Sequence, residues 1–205
     1  MPSYQSTGKR MLFMLLIGLQ CLVMTVGVAQ QITTGTASVT KADGGPMTID
    51  LGNRKVNEGS KLARQWVTIH DKIFPVDIVN TAGITLTPYV RDFRYAAKYE
   101  VEVTEPIVAI QVCFVLFNVW GEKIQSLSHM AIVDLPRGRH ELNADWVVEN
   151  DTPTEYFASI CYVARVRTQA GKILYFNPEP VIAEAKQFTP QFSLADLTPD
   201  DKKKR

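Results

Sequence analysis

The chain has 205 residues, 46% of them hydrophobic, which suits one domain with a real core plus appendages. Its 22 Lys and Arg nearly cancel its 21 Asp and Glu, so no extended basic field marks nucleic acid as a partner.

Lys9 and Arg10 precede an apolar stretch, Met11 to Ala29, that is broken only by Gln20, Thr25 and glycines and ends on Gly27-Val28-Ala29. A positive start, an apolar run and a small-residue end are the signature of an export signal cut before Gln30. The run also approaches the ~20 residues that cross a bilayer. Residues 1–29 are therefore read as a signal peptide or a membrane anchor. The chain is expected to be periplasmic, secreted or anchored to the outer face of the membrane, touching lipid only through an uncleaved N-terminal helix. Gln20 rather than a small residue precedes Cys21, which argues against lipidation. Cys113 and Cys161 remain, and export permits a disulfide between them. Two buried thiols on neighbouring strands are the open alternative.

Residues 30–62 are rich in Thr, Gly, Ala, Lys and Asn and contain the breaker cluster Asp43-Gly44-Gly45-Pro46. They read as a flexible linker with room for a short strand at Met47 to Leu51. The folded domain is expected over residues 63–188. Gln65 to Ile69 and Phe74 to Asn80 read as short strands, Pro75 confining the second to an edge or a strand start. Ile84 to Val90 follows the turn Thr81-Ala82-Gly83. From Arg94 to Thr104, Tyr95, Ala97, Tyr99, Val101 and Val103 alternate with polar or small residues, a strand with one wet face. Ile107 to Asn118 has one polar residue, Gln111, in its first eleven positions, so it reads as a central strand buried on both faces. Ile124 to Val133, His140 to Val148, Tyr156 to Thr168 and Ile173 to Phe176 follow, separated by turns at Gly121, Gly138 and Gly171. Val181 to Phe188 fits a last strand or a short helix, and residues 189–205 read as a disordered charged tail. Short strands with regular turns and no amphipathic helix predict an all-β protein, an antiparallel immunoglobulin-like β-sandwich of 7–9 strands behind the N-terminal helix.

Phe114-Val115-Leu116-Phe117-Asn118, followed by Gly121-Glu122-Lys123, resembles the signature of the FxLYD-type domains, and Leu135-Pro136-Arg137-Gly138 resembles their following turn. The match covers about thirty residues and departs where the family has Tyr (here Phe117) and Asp (here Asn118). The resemblance implies an immunoglobulin-like sandwich of exported bacterial proteins and no catalytic residues.

No nucleophile elbow, phosphate-binding glycine loop or metal-spaced histidine pair occurs, so no cofactor is expected. His70, His129 and His140 stand apart in sequence; His70-Asp71 reads as a turn cap and the other two as solvated. Glu149, Asn150 and Asp151 offer calcium-type oxygens in one loop, too few to hold the ion alone. Asn150-Asp151-Thr152 is also a glycosylation sequon. Arg165 and Arg167 are expected on the strand face of Cys161 and Val163. Trp146 reads as core. Trp120, in a turn, and Arg137 and Arg139, around Gly138, are the candidate contact residues. The expectation is a non-catalytic module that binds another protein or an envelope component, its oligomeric state open. The alternatives are an extracytoplasmic hydrolase built on one of the histidines and a structural subunit of an assembly.

Overall fold

A computed structural model describes residues 37–46, 49–50, 55–56, 63–89, 92–147 and 155–199. The described chain is mostly β: β1 (Ala37–Pro46), β2 (Ile49–Asp50), β3 (Lys55–Val56), β4 (Ala63–Asp71), β5 (Val76–Val79), β6 (Thr85–Tyr89), β7 (Asp92–Val103), β8 (Ile107–Asn118), β9 (Lys123–Leu135), β10 (Gly138–Val147), β11 (Tyr156–Thr168) and β12 (Ile173–Tyr175). One α-helix, α1 (Pro178–Ala185), and a 3₁₀ turn at Leu194–Leu197 follow. Among the described residues no helix is long and apolar enough to cross a membrane. The expected N-terminal signal or anchor lies outside the described residues.

Sheet I runs β1-β4-β11-β8-β9, with β12 beside the C-terminal part of β11; sheet II runs β10-β7-β5, with β6 also on β7. β2 and β3 form a separate two-stranded ribbon. β4 and β11 are parallel, so sheet I is mixed rather than antiparallel throughout, as expected from the turns. The alternation in β7 works as read. Tyr95, Ala97, Tyr99, Val101 and Val103 point into a core shared with Val112, Phe114 and Leu116 of β8 and with Cys161, Val163 and Val166 of β11.

The other side of β8 carries Cys113, Val115 and Phe117, and these cannot face water. The C-terminal segment covers them. Asn177-Pro178 breaks β12 and starts α1: the Asn177 side chain accepts from the Glu179 N–H at 3.1 Å and Pro178 needs no donor partner in the first turn. α1 buries Val181 and Ala185. Phe188 then stacks on Phe117 with ring centroids 4.8 Å apart, and Phe192 packs at 5.9 Å. The Ser193 N–H and hydroxyl both donate to Asp196 Oδ2 at 2.8 Å, and Ser126 Oγ donates to the Asp196 carbonyl at 2.7 Å. The expected disordered tail is thus ordered to Pro199, because it carries the apolar cover for half of sheet I.

The expected linker 30–62 also contains structure. β1 pairs with β4 from Ala37↔Asp71 to Asp43↔Gln65, one strand beyond the expected domain start at Ala63. Its exposed, polar side chains give no alternation to detect; main-chain pairing defines it.

The expected turn at Thr81-Ala82-Gly83 is buried rather than superficial, so its polar backbone needs partners. Thr68 Oγ1 accepts from the Ala82 N–H at 2.9 Å, Ser159 Oγ accepts from the Ile84 N–H at 3.3 Å, and the Tyr156 hydroxyl donates to the Ile84 carbonyl at 2.8 Å. Burial raises the Tyr156 pKa to about 12, so the phenol remains a donor. A Cβ on Gly83 would come within 2.1 Å of the Trp66 ring. The segment thereby plugs the space between the sheets.

Candidate functional site

The candidate contact residues do not form one surface. Trp120 is 77% exposed in the β8–β9 turn. Arg137 and Arg139 lie at the opposite end of β9, in and just after the turn into β10. Arg139 is occupied: its Nε donates to Glu102 Oε2 at 2.7 Å, and that carboxylate holds its pKa up. Neither Cys113 nor Cys161 is in a disulfide, and both are buried. Cys113 pairs opposite Tyr162 and faces α1, whereas Cys161 pairs opposite Phe114 and faces the inter-sheet core. Successive residues on a strand point to opposite faces, so the expected disulfide is not made and its two sulfurs are separated by the sheet itself. Burial pushes the Cys161 thiol well up, away from reactivity. Glu149, Asn150 and Asp151 lie outside the described residues. Among the described residues no cluster of His, Cys, Asp and Glu could hold a metal ion.

The histidines divide. His140 Nε2 meets the Pro136 carbonyl at 2.8 Å on the surface. His129, expected to be solvated, turns inward; the Tyr99 hydroxyl meets its Nδ1 at 2.7 Å, and burial lowers its pKa. His70 bridges two partners: Nε2 meets Thr40 Oγ1 at 2.8 Å and Nδ1 meets Asp77 Oδ1 at 2.8 Å. The chain Thr40–His70–Asp77 joins β1 and β4 of sheet I to β5 of sheet II. Its acid is Asp77 rather than the sequence neighbour Asp71, which instead accepts from the Ile73 N–H at 3.2 Å as a turn cap.

A different surface gathers the unexplained side chains. α1 and the segment after it cover only the part of sheet I over Val115, Phe117, Ile160 and Tyr162. Beyond them the outer face is bare, and strand register arranges it in two rows. One row reads Tyr175–Arg165–Gln111–Met130 across β12, β11, β8 and β9; the next reads Ile173–Arg167–Ala109–Ile132. Directly opposed residues in antiparallel strands share a face, so each row sets an apolar residue at both ends and a cation inside. The small side chain of Ala109 and the recessed Gln111 leave an open groove of about 190 Å³. Ile132 is 87% exposed, with Met130, Tyr175 and Ile173 about half exposed. These four are half of the large exposed hydrophobic residues among the described ones, which makes them a patch rather than scatter.

The arginines reach this face through a bulge. The register of β11 on β8 slips between Val163 and Arg165. Cys161, Val163 and Val166 face the core, so Arg165 and Arg167 face outward, opposite to the side that strict alternation assigns them. Gln111 is nine-tenths buried; its Nε2 donates to Ser128 Oγ at 2.6 Å. Among the described residues neither Arg165 nor Arg167 has an ion pair. Sequence reasoning placed neither arginine here, and only the slip in pairing could have revealed it.

Comparison with protein-family models, with curated proteins and with solved structures finds no match.

Proposed function

We propose that the chain is a non-catalytic binding module, an immunoglobulin-like β-sandwich of an exported protein, and that the bare half of sheet I docks another protein. One observation carries the reading. The C-terminal segment covers the apolar outer face of sheet I only over part of its extent, leaving Met130, Ile132, Ile173 and Tyr175 exposed around a groove that also holds Arg165 and Arg167. Exposed apolar patches with cations among them fit interface cores better than solvent. The FxLYD-type resemblance agrees with a domain of this kind and gives it no chemistry of its own. The N-terminal segment fits export, with the groove presented outside the cytoplasm. The test is Ile132→Glu and Ile173→Glu in the full chain. Both positions are exposed, so folding and Tm should be retained while a partner co-purified with the wild type is lost. Retention of the partner by both variants, or concentration-dependent self-association of the wild type through this face, would contradict the reading.

A second reading, hydrolysis, has one observation in its favour: Thr40, His70 and Asp77 form a hydroxyl–imidazole–carboxylate chain with both contacts at 2.8 Å. His70 would take the Thr40 proton as Oγ1 attacked an acyl carbon, with Asp77 orienting the ring. Its signature is fluorophosphonate labelling of Thr40 that His70→Ala removes; an unlabelled wild type retires it.

A further inference from the structure

We infer that the groove on sheet I takes an extended acidic segment of the partner protein, with two carboxylate side chains spaced two residues apart. The inference rests on the docking reading and specifies its occupant. Arg165 and Arg167 project from one strand face about 7 Å apart, the repeat of two residues in extended chain. Like charges at that distance repel, and among the described residues no carboxylate pairs with either; Asp134, the acidic residue two places past Ile132, lies on the edge strand β9. An extended segment laid along β8 has the same repeat, so carboxylates at alternate positions meet both guanidiniums at once.

The floor of the groove asks for a second chemistry. Gln111 is buried and spends its amide N–H on Ser128 Oγ, while among the described residues its amide oxygen has no donor. A backbone N–H of the docked segment supplies one; an acyl chain does not. Met130 on one wall and Ile173 on the other leave space between them for an apolar side chain. The surface is recessed rather than protruding, which favours an inserted segment over the headgroup plane of a bilayer.

The probe is a fluorescein-labelled hexapeptide in which two glutamates flank an isoleucine, titrated by anisotropy against the full chain. Its control carries glutamine in place of both glutamates. The glutamate peptide should bind about tenfold or more tightly than the control, with an affinity that falls as salt rises. Arg165→Gln with Arg167→Gln should erase the difference between the two peptides, and Gln111→Leu should weaken both equally while keeping the salt dependence. Equal binding of the two peptides to the wild type, or unchanged discrimination by the double arginine variant, would overturn the proposal. So would co-sedimentation with anionic vesicles that the arginines control while the peptide stays unbound. The docking reading fails separately: a partner lost in Ile132→Glu but indifferent to the double arginine variant keeps the docking face and removes the acidic segment.

Discussion

Asn118 shows how much one side chain organises. It is buried at the end of β8, and its Oδ1 accepts from the Trp120 N–H at 3.0 Å and from the Glu122 N–H at 2.8 Å. Its Nδ2 donates to Glu122 Oε2 at 2.9 Å and to Glu155 Oε2 at 3.4 Å. The first pair of bonds would suit an aspartate equally well; the second pair requires an amide. The departure from the Asp of the resembling pattern therefore has a physical cause, the two glutamates that face this position. Asn118→Asp should lower stability by about 1–3 kcal/mol at neutral pH, since it sets a third carboxylate against two others. Thermal melts at pH 7 should show the deficit as a lowered Tm; an unchanged Tm would contradict this account of the turn. Gly121 beside it has φ +80°, and a Cβ there would come within 2.5 Å of the Phe188 carbonyl oxygen, so the turn also admits the C-terminal segment across it. The glycine was legible as a turn residue. Its second use was not, because nothing local points to a chain returning from residue 188.

At the scale of elements, β9 and β10 border the opening between the sheets, and two side-chain contacts close it. Trp146 Nε1 donates to the Ser128 carbonyl at 3.1 Å, and Tyr99 meets His129. Burial holds His129 below its ordinary pKa, so the folded ring is neutral and accepts the Tyr99 hydroxyl proton. The unfolded chain protonates it near pH 6.5. The contribution is therefore fully present above about pH 6.5 and is lost as the pH falls from there through the folded-state pKa. Tm should drop between pH 7.5 and 5.5, and His129→Gln should flatten that drop; an equal slope in the variant would show that this ring is not its source. β7, from its alternation, and β8, from its apolar run, were legible to within two residues. Three elements were less so, each for its own reason. β1 is mostly exposed, and the main-chain pairing and the contacts of Thr40 with His70 and Lys41 with Glu184 that hold it leave no hydrophobic period in the sequence. α1 was legible only as one of two options, a last strand or a short helix from Val181, because Pro178 and Pro180 read as breakers although a first helical turn tolerates proline. The bulge in β11 leaves no mark on composition, and it alone sends Arg165 and Arg167 to the outer face. The candidate site was therefore the least legible feature: its eight positions come from four strands and only the register assembles them.

For the molecule as a whole, sheet II and the segment around Ala82 and Ile84 pack on the inner face of sheet I, and the C-terminal segment covers part of the outer one. The remaining part concentrates exposed apolar side chains, two cations with no ion pair among the described residues, and the buried Gln111 amide. The sequence-level candidates Trp120 and Arg137 lie at opposite ends of β9, so a single partner footprint on this bare face would exclude at least one of them. Site-specific photocrosslinking separates the alternatives. A benzophenone amino acid is placed in turn at Ile132, at Trp120 and at Glu141 on the solvent face of sheet II, each in the full chain in the cells that make it. The account predicts one protein adduct of defined mass from Ile132, little from Trp120 and none from Glu141. Adducts of equal yield from all three positions, or an adduct from Trp120 alone, would contradict the assignment of the bare half of sheet I as the docking face.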